Sequence, residues 1–246
     1  MIILRRSSQR RHERTRHRDT WLSFDPWKLE DPLAEGFGTL ELLNEHRLRP
    51  GADLPPYPHS RDAEIVVSIR EGTLAYRDPY ARLGVISAGE IAHMTVGPGT
   101  RRNGTNASRT YWAHVFEIGF RPNLAELRPG HERKRISAAE RKGVLCVVAS
   151  PDGCKGSLRI HQDVLIYSSI LEPGKHVVLE LKPGRSAWLH LIQGEVSFSE
   201  FILTTGDGVG VIQERAVSLT AVEPSEILLF EMGAPLPWDL MKGAVP

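Results

Sequence analysis

Short runs of β-branched and apolar residues, each closed by Gly, Pro, Asn or Asp, recur along this chain and constrain its fold more than any other feature. In the first half they are Ile65–Arg70, Thr73–Tyr76, Val85–Ile86, Ala113–Ile118 and Val144–Val148. The second half repeats the pattern with Asp163–Tyr167, His176–Leu181, Ala187–Ile192, Val196–Phe198 and Ile227–Phe230. Such side chains suit a pleated, half-buried surface, and many short strands at regular spacing predict an all-β sandwich or barrel.

An internal echo sharpens the expectation. Arg70-Glu71-Gly72-Thr73 leads into a strand and then Ala88-Gly89-Glu90; Ile192-Gln193-Gly194-Glu195 leads into a strand and then Thr205-Gly206-Asp207. Pro50-Gly51 and Pro173-Gly174 precede the two copies. Two copies of one barrel are the simplest explanation. The polar stretch between them carries Ser137 three residues before Glu140, the spacing of a capping box, so a short linker helix is expected there.

Charge narrows the partners. Lys and Arg number 31 against 30 Asp and Glu, a net charge of +1, so the whole molecule carries no strong signal for nucleic acid. The exception is local: Arg5, Arg6, Arg10, Arg11, Arg14, Arg16 and Arg18 face a single acid, Glu13. That head reads as a transit peptide, as a phosphate-binding arm, or as a solvated strand with a mobile loop. No secretory h-region or membrane-length apolar run is found, which predicts a cytoplasmic protein with no membrane partner. Protein partners are not legible. Cys146 and Cys154 lack both C-x-x-C spacing and a zinc-like histidine. Cys154, beside Lys155 in a turn-rich segment, is the redox-sensitive candidate, with an inert loop cysteine as the alternative.

Taken together, Thr20–Phe24, Gly36–Leu40, Leu43–Glu45, Pro58-His59, Asp62–Val66, Glu71-Gly72, Tyr76–Asp78, Gly89-Glu90, Gly97–Gly99, Ala149–Gly153 and Gln162–Val164 resemble the pirin family of bicupins, from about residue 20 to 232. The resemblance implies two tandem cupin barrels of jelly-roll type, the first holding a mononuclear metal. Some members are described as quercetin-oxidising dioxygenases and others as nuclear cofactors of transcription. The chain then divides into a basic segment 1–19, an N-terminal cupin 20–125, a linker 126–143, a C-terminal cupin 144–234 and a tail 235–246.

The family's ligand set resembles H-x-H on one strand and H-x-E on another. Here those positions fall on Tyr57, His59, Arg102 and Gly104, so only His59 is retained. A catalytic iron needs about three protein ligands and an open position. A fixed guanidinium at Arg102 raises the cost of bringing in a divalent cation, and Gly104 has no side chain. No metal cofactor is therefore expected; the alternative is Fe or another divalent transition metal serving a dioxygenase. Tyr57, His59, Glu64, Arg102 and Gly104 are expected to line one pocket for a small anionic or aromatic ligand, with Glu64 paired to Arg102 or another inward arginine. His93 and His114 are expected to be ordinary strand histidines, and His161 and His190 to stand alone.

Overall fold

The computed structural model describes residues 1–55, 63–77, 83–96, 104–121, 123 and 127–234. Strands dominate, and the chain separates into two compact units. The N-terminal unit comprises Arg11–Arg135 with Leu158–Gln162, and the C-terminal unit comprises Met1–Arg10, Ile136–Ser157 and Asp163–Pro235.

In the N-terminal unit the large sheet runs, edge to edge, Gly130–Arg135, Glu90–Val96, Ala63–Glu71, Ala113–Phe120, Leu40–Leu48, Arg18–Leu22 and Arg11–Arg14. A smaller sheet places Thr73–Arg77 between Leu83–Ser87 and Gly104–Asn106. Alternation along Ala63–Glu71 sends Ala63, Ile65, Val67 and Ile69 into a core with Leu54, Leu74, Met94 and Val115. Glu64, Val66 and Ser68 take the opposite face.

The C-terminal unit repeats the plan. Its large sheet contains Ile2–Arg5, Gly208–Ile212, Ser186–Gln193, Ser225–Met232, Val164–Leu171 and Cys146–Ser150 in that order. The smaller sheet runs His176–Glu180, Ala216–Ala221, Glu195–Phe198 and Phe201–Thr204. Leu189, Leu191, Val196, Phe198, Val209, Leu219 and Leu229 form its core. Burying each such aliphatic or aromatic side chain contributes about 1.5–3 kcal/mol.

The echo read in the sequence has a steric origin. Gly72 and Gly194 both adopt left-handed φ, +77° and +94°, and a Cβ on either would lie 2.5 Å from a backbone carbonyl oxygen, Trp112 O or Pro224 O. Only glycine fits both demands. The linker helix is Ala138–Arg141: Glu140 N–H donates to Ser137 Oγ, and Ser137 N–H donates to the Glu140 carboxylate.

The chain path departs from the sequence division at two places. The basic head does not stand apart as one segment: Ile2–Arg5 pairs antiparallel with Gly208–Ile212, and Ile2 and Leu4 pack on the C-terminal core. Arg11–Arg14 and Arg18–Leu22 instead extend the N-terminal sheet. None of these short segments carries an alternating apolar pattern in its sequence. Likewise Gly130–Arg135, assigned to the linker, is an edge strand bonded to Glu90–Val96. The tail 235–246 lies outside the described residues.

Candidate functional site

Tyr57, His59 and Arg102 lie outside the described residues; Gly104 and Glu64 are described. Gly104 opens the strand Gly104–Asn106, pairs with Tyr76, and accepts a 2.7 Å hydrogen bond from Leu54 N–H at its carbonyl. A Cβ at this position would meet Leu54 Cδ1 at 2.6 Å and Leu74 Cδ2 at 3.2 Å. Both leucines belong to the buried core. The space a carboxylate side chain would occupy is therefore filled by aliphatic carbon.

Glu64 occupies the other face of its strand. Its neighbour Ile65 points into the core, so alternation turns the Glu64 carboxylate away from Gly104, and the expectation that both line one pocket is corrected. Glu64 is fully buried, and its described partners are histidines rather than an arginine. His93 Nε2 lies 3.0 Å from Oε1, His161 Nδ1 lies 2.8 Å from Oε1, and the His161 backbone N–H donates to Oε1 and Oε2 at 2.8 and 2.9 Å. Burial pushes the carboxyl upward, but hydrogen bonding and charge from His93, with the backbone and side-chain bonds of His161, outweigh it and hold the value below the usual carboxylate range. His161 is thus an anchor and not an isolated residue.

The strand histidines are more buried than the sequence suggests. His93 and His114 are 4% and 3% exposed, and His114 Nε2 lies 2.8 Å from Glu45 Oε1. Sequence reasoning missed a third pair altogether. His46 Nε2 lies 2.9 Å from Glu117 Oε2, with Thr20 Oγ1 3.1 Å from His46 Nδ1, all buried. The available signal was the shared face of Val115 and Glu117, since Val115 is a core residue opposite His46.

In the C-terminal unit, Arg185 Nε lies 2.6 Å from Glu231 Oε1, and Tyr167 donates its hydroxyl to Glu231 Oε2 at 3.0 Å. Burial first, then the Glu231 charge, pushes the Tyr167 phenol upward, so it stays protonated. His190 is fully buried. Cys154 is partly exposed and opens the short turn Cys154–Gly156, where its N–H donates to Asp152 Oδ1 at 3.0 Å.

Among the described residues no group of three or more His, Cys, Asp or Glu is placed to hold an ion, and Gly104 supplies neither a donor nor room for one. No described helix is long and apolar enough to cross a membrane.

Known proteins give this geometry a context. Residues 4–118 match the family model described as Pirin, and residues 147–232 match the Quercetinase C-terminal cupin domain. The chain is 31% identical over 232 residues to Quercetin 2,3-dioxygenase of Escherichia coli (strain K12), covering 94% of this chain and 99% of the relative. The crystal structure of YhhW from Escherichia coli superposes with a TM-score of 0.87 at 30% identity, covering 96% of this chain and 99% of that one. The same bacterial pirin in complex with nickel(II) gives a TM-score of 0.85, also at 30% identity, covering 96% and 100%. The two β units are those of an all-β bicupin.

Proposed function

The chain belongs to the pirin family, and on that premise we propose that its N-terminal cupin is a metal-free binding module with a sensing or regulatory role in the cytoplasm. The observation that carries this reading is the packing of Leu54 and Leu74 against Gly104, where the family pattern would place a carboxylate ligand. The sequence adds Arg102 at a second ligand position, where a guanidinium favours a carboxylate or phosphate over a cation. His59 is the single retained ligand position, and Tyr57 would complete the pocket as a phenol. The ligand class is a small anion or an aromatic compound carrying one.

Thermal shift against a panel of mono-, di- and tricarboxylates and phosphate esters tests this. A stabilising compound whose effect disappears in Arg102→Gln supports the reading, and a panel that leaves the melting temperature unmoved contradicts it.

The second reading, a metal-dependent dioxygenase, is favoured by the name of the Escherichia coli relative and by the nickel(II) complex of YhhW. It requires iron, copper, nickel or manganese held by a donor set different from the family pattern. Redox sensing through Cys154 would be an added input to the regulatory role, detected as an oxidant-induced mass increase that Cys154→Ser removes.

A further inference from the structure

Tyr111 and Trp112 are 75% and 45% exposed, yet the loop that carries them is pinned in place. Ser108 Oγ accepts the N–H groups of Thr110 and Tyr111 at 3.1 and 2.9 Å, and Asn106 Nδ2 donates to Tyr111 O at 2.8 Å and to Arg49 O at 3.1 Å. That last bond ties the loop to the end of the strand Leu40–Leu48, where the Arg49 guanidinium sits 5.3 Å from the Trp112 ring centroid. Two neighbouring rings are thus held out toward solvent, and an exposed apolar patch rimmed by charge marks an interaction surface.

Arginines surround the rings. Arg18 pairs with Leu48 and Asp19 with Arg47, while Arg49 N–H donates to His17 O at 3.0 Å, so the hairpin tip Thr15–Arg18 lies beside Arg47 and Arg49. The tip is ordered, because Thr15 Oγ1 accepts the N–H groups of His17 and Arg18 at 3.2 and 3.1 Å. Arg47 and Trp112 line a cleft of about 240 Å³, and Trp112 and Tyr111 line a second of about 550 Å³, with Glu71 bordering both. Arg16, Arg47, Arg49 and Arg109 are exposed and Arg18 is half-buried, and none of the five forms an ion pair with the described residues. The acids at the clefts are already matched: Asp19 lies 3.3 Å from His12 Nε2 and 3.4 Å from Arg14 Nε, and Glu71 lies 2.6 Å from Arg70.

The net charge of +1 therefore conceals a local excess of guanidinium, and folding brings to the basic head the aromatic rings that its own sequence lacks beside the arginines. Guanidinium groups bind phosphate through paired N–H donors, and an exposed ring accepts the flat face of a base. A duplex keeps its bases stacked on one another and would leave the rings unused. An acidic peptide would pair with the arginines but offers the rings no flat face.

We propose that this face of the N-terminal unit binds single-stranded nucleic acid, with phosphates along the arginines and bases stacked on Tyr111 and Trp112. The inference uses none of Tyr57, His59, Arg102 or Gly104 and does not depend on the proposed function.

Fluorescence anisotropy of the full chain with a short labelled oligodeoxythymidylate, followed across about 50 to 200 mM salt, tests it. The expected result is binding that weakens as salt rises. Arg47→Gln combined with Arg49→Gln should lower the slope of log K against log salt by about 1.4, at roughly 0.7 per phosphate contact. Tyr111→Ala should weaken binding about tenfold with the slope unchanged. Lys182→Gln, on the surface of the C-terminal unit, should change neither. The substituted side chains are exposed, so the variants retain the fold. The inference is overturned by an absence of salt-dependent binding, or by polyglutamate, thymidine monophosphate or a duplex of equal length binding as tightly as the single strand. An unaltered affinity in Tyr111→Ala, or an equal loss in Lys182→Gln, overturns it as well.

Discussion

The two units hold buried carboxylates with different side-chain partners. In the C-terminal unit Asp207 pairs with Arg6 and Glu231 with Arg185. In the N-terminal unit Glu64, Glu117 and Glu45 pair with His93 and His161, with His46 and with His114. The same cupin plan thus joins its buried carboxylates to imidazoles in one half and to guanidiniums in the other.

Removing one partner of such a pair should break the comparison most visibly. Glu64→Ala strands the His161 N–H and two imidazoles, and should destabilise the N-terminal unit by about 3–5 kcal/mol. Glu231→Ala should cost less, about 1–3 kcal/mol, because Arg185 keeps Asp163. Urea unfolding followed by hydrogen exchange separates the units, and a larger loss in the C-terminal variant would contradict the ranking. Acid is the next lever. Because the folded value of Glu64 lies below its unfolded value of about 4.3, this carboxylate adds stability above that pH and loses it as pH falls through the lowered folded value. Exchange protection should therefore collapse first around Glu64, and simultaneous loss in both units would break the distinction.

Smaller effects sharpen the account of Gly104. Gly104→Ala should cost about 1–3 kcal/mol by overpacking against Leu54, and in a double-mutant cycle Leu54→Ala should relieve part of that cost. Additive effects would place the leucine elsewhere. Least of all, Cys154→Ser should change stability by no more than about 0.5 kcal/mol while removing any oxidant-induced mass shift.

The architecture was legible because glycine is sterically compulsory at the turns. Gly72 and Gly194 mark equivalent positions in both halves, and Ser137 with Glu140 marks the linker helix. The head was not legible, since its first strand is the four-residue run Ile2-Ile3-Leu4-Arg5, too short to show an alternating pattern. At the site, the identities at 57, 59, 102 and 104 spoke to missing ligands, but no pattern in the sequence says that Leu54 fills the gap. Strand alternation along Ala63–Glu71 assigns Glu64 to the face opposite Ile65, and the same rule assigns Glu117 and His46 to the core-facing side. His161 lies 97 residues from Glu64, and local sequence does not encode a contact of that range.

We propose above that the N-terminal cupin has exchanged a metal site for apolar packing and a basic ligand position. Inductively coupled plasma mass spectrometry of protein purified without chelator tests it most directly. The account predicts far less than one transition-metal ion per chain, unchanged after incubation with iron(II) or nickel(II) and desalting. A retained ion approaching one per chain, lost in His59→Ala, would contradict it.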